Sequence, residues 1–212
     1  MKLETKRFKE FLEIVRGHVY SEPDTEIHTN TINAMTKKIV DEHFDDKDGA
    51  LLDIGCGSGY AMERMKALGM TNLQGLTLDS NDADTARDRG FTIAEEDMSF
   101  THFRGSSFKY LWVRHALEHS PFPYLTLLEF NRLLEPGGKA YIEMPSPQCT
   151  RILETYDNHY SIMGPRQWQA LMNRSGFSIK DMGEIRFEVG STVDPDFKGL
   201  EVYEWYVLIK ES

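Results

Sequence analysis

Leu51-Leu52-Asp53-Ile54-Gly55-Cys56-Gly57-Ser58-Gly59-Tyr60 is the stretch whose reading decides the fold. A short apolar run ends in an acidic residue and then in three alternating glycines. Glycine allows a tight turn and lets the backbone approach a ligand closely. If 51–54 is a buried strand and 59–68 a helix, the loop sits at a helix N-terminus. Free N–H groups and the positive end of the helix dipole meet there, which suits a carboxylate as well as a phosphate. The spacing separates two kinds of ligand. A dinucleotide loop reads G-x-G-x-x-G, with its third glycine where helix packs on strand. This loop reads G-x-G-x-G, and Tyr60 occupies the dinucleotide position. Asp53, two residues before the first glycine, is placed to accept hydrogen bonds from a ligand ammonium. A tight structural turn is the plain alternative.

Working outward, strands and helices alternate. Strands are expected at 73–78, 91–94, 108–113 and 139–144, and helices at 82–89, 124–134 and 167–175. Such alternation implies parallel βαβ units in a doubly wound sheet. Glu135-Pro136-Gly137-Gly138 reads as a helix stop before the fifth strand. Two β-rich runs, 177–189 and 201–209, fit an antiparallel hairpin at the sheet edge. Upstream, Phe8, Phe11, Leu12, Val15 and Val19 form one helical stripe, and Ile32, Met35, Ile39, Val40 and Phe44 a second. Thr29 to Thr31 offer caps for that second helix. The expected layout is an α/β domain at 48–212, with a mostly parallel seven-stranded sheet, behind an N-terminal helical cap at 1–47.

Two more anchors follow the glycine loop. Asp79 ends the second strand, where a carboxylate grips both hydroxyls of a ribose, or else caps the next helix. Glu95-Glu96-Asp97-Met98 follows the third strand. An acid there could accept an adenine amino group while Met98 packs on the ring, or the segment is an exposed acidic turn.

Composition narrows the partners. Acids outnumber Lys and Arg by 34 to 24, for a net charge of −10, and phosphate backbones and anionic membranes demand the opposite balance. The expected partner is a small molecule rather than nucleic acid or membrane; oligomeric state is not legible. The two cysteines, Cys56 and Cys149, read as reduced thiols, because a disulfide at Cys56 would distort the loop. The charged N-terminus resembles no secretory signal, and no apolar run approaches the roughly 18 residues of a membrane span. A cytoplasmic location is expected.

In this order, the three anchors resemble those of the class I methyltransferases, a seven-stranded Rossmann-like family that uses S-adenosylmethionine. Val113-Arg114-His115-Ala116-Leu117-Glu118-His119, Leu128 to Gly138 and Ile142-Glu143-Met144-Pro145 strengthen the resemblance. It is good over 50–145, loose over 158–178 and poor over 1–47. It implies that Asp53, Gly55 and Gly57, with Cys56 and Gly59 of the same loop, hold the methionine end of the cofactor. Asp79 would hold the ribose and Asp97 the adenine amino group, with Ser80 and Met98 lining the ring. His115 would lie beside the sulfonium, and His159 would face the substrate. These two histidines are the catalytic candidates. Leu111-Trp112 departs from the family, which more often carries an acid in that strand.

His115 to His119 also spells H-x-x-E-H, a zinc-peptidase pattern. That chemistry needs both histidines on one helix face, and Pro121 and Pro123 oppose a helix here. No metal is expected, and His119 reads as a loop histidine bonded to backbone. His18 and Tyr20 could fold over the cofactor or pack as ordinary helix residues. Methyl transfer to a small-molecule oxygen, nitrogen or carboxylate is the leading activity. A non-catalytic methyltransferase-like binding domain is the alternative, and a nicotinamide-dependent oxidoreductase a weaker one.

Overall fold

A computed structural model describes residues 3–17, 19, 26–149, 158–190 and 198–211. Two helices, α1 (Leu3–Arg16) and α2 (Glu26–Glu42), precede β1 (Leu51–Ile54). There follow α3 (Tyr60–Ala67), β2 (Leu73–Thr77), α4 (Ser80–Asp88), β3 (Thr92–Glu95) and β4 (Phe108–Arg114). A 3-10 turn (Leu117–His119) leads to α5 (Pro123–Leu133), β5 (Leu134–Pro145), α6 (Pro165–Arg174), β6 (Phe177–Gly190) and β7 (Lys198–Lys210). The strands form one seven-stranded sheet in the order β3-β2-β1-β4-β5-β7-β6. The first five are parallel, and β7 runs antiparallel to both β5 and β6. The expected doubly wound sheet with its antiparallel edge pair is the fold of the molecule. No described helix is long and apolar enough to cross a membrane.

Pleating sorts the strand residues between two faces. Leu52, Ile54, Leu111 and Val113 face α5 and α6, packing with Leu127, Phe130, Trp168 and Met172. Leu51, Tyr110, Trp112 and Tyr141 face the other layer, with Met62 and Met65 of α3 and Ala83 and Ala86 of α4. Trp112 lies on Tyr141 with ring centroids 4.3 Å apart.

The two N-terminal helices do different work. Met35, Ile39 and Val40 of α2, with Phe44 just beyond it, are buried in this second layer. The C-terminal half of α2 is therefore part of the domain core rather than a cap, since its apolar stripe finds the sheet-side helices. Among the described elements, only α1 remains outside the two layers. Thr29 to Thr31 lie inside α2 and do not cap it.

One further boundary differs from expectation. Glu135 to Gly138 is not a turn before β5 but part of it, absorbed by a register shift opposite Phe108 and Tyr110. Gly138 is required there: a Cβ would sit 2.9 Å from the Glu135 carbonyl and 3.0 Å from the Lys109 carbonyl.

Candidate active site

β1 and β4 are neighbours, and their following connections leave toward opposite ends of the sheet. A crevice opens at such a switch point, beyond the carboxyl ends of the strands. Here it is a cavity of about 440 Å³, within the ordinary range for small-molecule sites.

The glycine loop forms one wall. The Gly55 and Cys56 amides both donate to the Leu76 carbonyl, at 2.8 and 3.0 Å, which folds the loop back over β2. Gly55 has φ 75°, and a Cβ there would lie 2.7 Å from the Ala116 Cβ. Gly57 has φ 49°, and its added Cβ would meet no closer atom than an Asp82 carboxylate oxygen at 3.9 Å. Gly55 is thus needed for packing against the loop after β4, and Gly57 to keep the cavity side of the loop open. Gly59, at φ 85°, faces Ala86 and Met62 and does not line the cavity. Its role is to bring α3 onto its neighbours.

Asp53 is 2% exposed and lines the cavity. Its Oδ2 has no hydrogen-bond partner among the described residues. Burial pushes its carboxyl up to about 8, against the opposing influence of Arg114. Burial likewise pushes the Cys56 thiol up, so Cys56 is a neutral wall residue. Asp82 and Glu96 also line the cavity; Glu96 belongs to the acidic segment expected near the adenine, whereas Asp82 reads from sequence only as part of a helix start. The three acids share the cavity wall with Arg114 and His115.

The remaining sequence candidates divide. Met98 lines the cavity. Asp97 does not; it accepts from the Ser99 amide at 2.8 Å and lies 3.4 Å from the Arg16 guanidinium of α1. In the acidic segment Glu96 is the cavity residue, one position from the acid expected there. Asp79 accepts from the Asp82 amide at 2.9 Å and so caps α4. Ser80 donates to Glu95 at 2.8 Å. Neither lines the cavity, and Asp79 fills the helix-cap role. A short polar side chain at a helix start finds orphan N–H groups within reach.

His115 lines the cavity at the end of β4. Its backbone takes the left-handed region at φ 49°, held by its amide donating to the Glu143 carbonyl at 2.9 Å. The ring is set between two buried carboxylates, with Nδ1 3.3 Å from Glu118 and Nε2 3.2 Å from Glu143. Burial and Arg114 oppose its charge, but the two carboxylates prevail and hold it at about 9. Burial opposes ionisation of Glu143, yet Arg114, at 2.8 Å, and His115 bring it down to about 2. With a carboxylate near each nitrogen, the imidazole contributes electrostatically at the cavity wall.

Other imidazoles border the space. His28 of α2, overlooked from sequence, lines the cavity and stacks on His115 with centroids 5.8 Å apart. His119 lines it too, and its Nδ1 lies 3.1 Å from the Asn158 carbonyl. His159 sits behind His119, ring centroids 4.7 Å apart, and does not line the cavity. No residue spacing could signal the His28 position, because it depends on how α2 docks. His18 and Tyr20 lie outside the described residues.

The family described as a methyltransferase domain matches residues 28–181. Among curated relatives, 27-O-demethylrifamycin SV methyltransferase of Amycolatopsis mediterranei is 23% identical, over 71% of this chain and 62% of that protein. A ubiquinone biosynthesis O-methyltransferase of Nitrosococcus oceani is 27% identical, over 52% of this chain and 49% of that protein. The chain thus spans about half to three-fifths of the length of these relatives. Among solved structures, a SAM-dependent methyltransferase of Archaeoglobus fulgidus has a TM-score of 0.67 at 15% identity, covering 86% of this chain and 94% of that one. The [4+2]-cyclase SpnF has a TM-score of 0.68 at 17% identity, covering 84% and 81%. These two structures share the fold.

Proposed function

This chain belongs to the methyltransferase-domain family, and from that membership we propose that it transfers a methyl group from S-adenosylmethionine to a small-molecule acceptor. The observation that carries the reading is Asp53, a buried acid with an unpartnered oxygen that lines the same cavity as the open Gly57. An orphaned carboxyl oxygen of this kind fits a ligand ammonium. The G-x-G-x-G spacing, with Tyr60 where a dinucleotide loop has its third glycine, opposes a nicotinamide dinucleotide. The residues present therefore fit the methionine end of the cofactor.

When bound, the cofactor supplies an electrophilic methyl carbon on a sulfonium. The chain's own part is positioning. Asp53 and the Gly55–Gly57 backbone hold the amino-acid end, and Met98 and Glu96 border the adenine end. Val15, Ile32 and Tyr160 shape the remaining space for an acceptor. Holding a nucleophile about 3 Å from the methyl carbon, in line with the C–S bond, supplies most of the rate. A hydroxyl or ammonium acceptor must also lose a proton, and His28 is the imidazole at the wall placed to take it. Two relatives are named for O-methylation, the 27-O-demethylrifamycin SV methyltransferase and the ubiquinone biosynthesis O-methyltransferase, which supports an oxygen nucleophile here.

The test is ligand binding followed by turnover. S-adenosylhomocysteine at about 100 times its dissociation constant should stabilise the fold by about 2.7 kcal/mol, and NAD should not shift the melting temperature. Loss of that stabilisation overturns the reading. Transfer of labelled methyl to any member of an acceptor panel separates an enzyme from a binding domain.

A further inference from the structure

We propose that Glu118, His119 and His159 form a binding site for a divalent transition-metal ion at the rim of the cavity. Each offers one donor atom, and the three atoms lie within 4.8 Å of one another. The sequence reading expected no metal, because H-x-x-E-H cannot form a helical zinc site here. The structure agrees about the helix but regroups the residues. His115 turns to the two buried carboxylates, and His119 pairs instead with a histidine forty positions on.

Three observations make this a built site. Glu118 is fully buried, and its Oε2 has no hydrogen-bond partner among the described residues. His119 Nδ1 faces a carbonyl, that of Asn158, at 3.1 Å. A carbonyl accepts, so Nδ1 carries the proton and the ligand role falls to Nε2. Metal-ligating histidines are oriented in this way by their other nitrogen. The strand of chain bearing His159 is also pinned to the Leu117–His119 turn. The Ser161 amide donates to the Glu118 carbonyl at 3.0 Å, and the Ser161 hydroxyl to the Ser120 carbonyl at 2.6 Å.

Two imidazoles and one carboxylate suit zinc and neighbouring d-block ions better than magnesium or calcium, which prefer all-oxygen sets. Three protein ligands leave a coordination position open, and His119 faces the cavity. An acceptor oxygen in that position would ionise more readily. This last consequence rests on the methyl-transfer reading; metal binding does not. The other cluster of possible ligands, Glu42, His43 and Asp181, includes the exposed Glu42 and an existing 3.1 Å pair between His43 and Asp181. It serves as an internal control.

The experiment uses the full chain, free of any affinity tag and stripped with chelator. Cobalt(II) is titrated in and followed by its visible d–d absorption, with zinc(II) added afterwards as competitor. One cobalt per chain, displaced by zinc, is expected. His119→Ala and His159→Ala should each weaken cobalt binding by more than the roughly 10–100-fold that an outer-shell partner is worth. His43→Ala should leave it unchanged, and circular dichroism should show all three variants folded. The absence of a stoichiometric d–d band, or a band that survives both His119→Ala and His159→Ala, overturns the proposal. So does a band lost in His43→Ala.

Discussion

Asp53 is buried at the end of β1, and burial pushes its carboxyl up to about 8. In the unfolded chain the same group titrates near 3.8. Between these values the unfolded chain has lost the proton that the folded chain keeps. Stability contributed by this group is therefore full below about pH 4, falls as pH rises toward 8, and is level above that. Asp53→Asn should accordingly raise the melting temperature of the free protein at pH 8.5 while weakening S-adenosylhomocysteine by tenfold or more, about 1.4 kcal/mol. Calorimetry at pH 7 in two buffers of different ionisation enthalpy should show about one proton released on binding, and none for Asp53→Asn. Wild-type affinity in the variant would place the ligand elsewhere. This residue was legible because glycine spacing fixes what stands two positions earlier. The exchange of Asp97 for Glu96 was not, since adjacent residues of a turn point differently and only the docked Arg16 decides between them. Asp79 was read for both of its possible roles, and a single sequence contains nothing that ranks a helix cap against a ribose contact.

At the scale of elements, Asp79 links β2 to α4. Asp79→Ala removes the acceptor for the Asp82 amide and should cost about 1 kcal/mol, measurable by urea denaturation. Asp79→Asn keeps a good cap and removes the charge. If Asp79 also holds a ribose, Asn should lower cofactor affinity with little change in stability; equal affinity confines Asp79 to its capping role. The antiparallel edge offers a second test. A Cβ on Gly183 of β6 would lie 2.7 Å from the Trp205 ring of β7. Gly183→Val should therefore destabilise by about 1–3 kcal/mol through overpacking, and a midpoint equal to wild type would show that the ring yields freely. Strand existence and order were readable because apolar runs alternate with amphipathic helices. Ends were less so. Pro136-Gly137-Gly138 has the composition of a turn, yet pairing with β4 continues around it through a register shift. The caps expected at Thr29 to Thr31 failed because α2 begins at Glu26, upstream of them.

Among the described residues, five helices clothe the two faces of one sheet, and α1 lies outside these layers beside the cavity. Its attachment is light. Phe8 packs near Phe100 and Phe122, with centroids 5.7 Å away in both pairs. Arg16 reaches Asp97 at 3.4 Å with a third of its side chain exposed. A partly exposed ion pair of this kind contributes about 0–1 kcal/mol. Leu12 is buried, but Phe11 and Ile14, 57% and 63% exposed, contribute little. A helix held so weakly opens locally at small cost, and elements of that kind serve as lids. Val15 of α1 and Val19 beyond it line the cavity, so a ligand filling that space adds apolar contact to the segment that lacks it. Hydrogen exchange should then show amides 3–17 fast in the free protein and slower with S-adenosylhomocysteine, while α2 from Met35 onward is protected in both states by its place in the core. Arg16→Ala should speed exchange of α1 in the free protein and leave α2 unaffected. If α1 exchanges at the same rate with and without ligand, it is not a lid. If α2 loosens together with α1 in the variant, the two helices open as one unit, and the cap extends to residue 47 as the sequence pattern suggested.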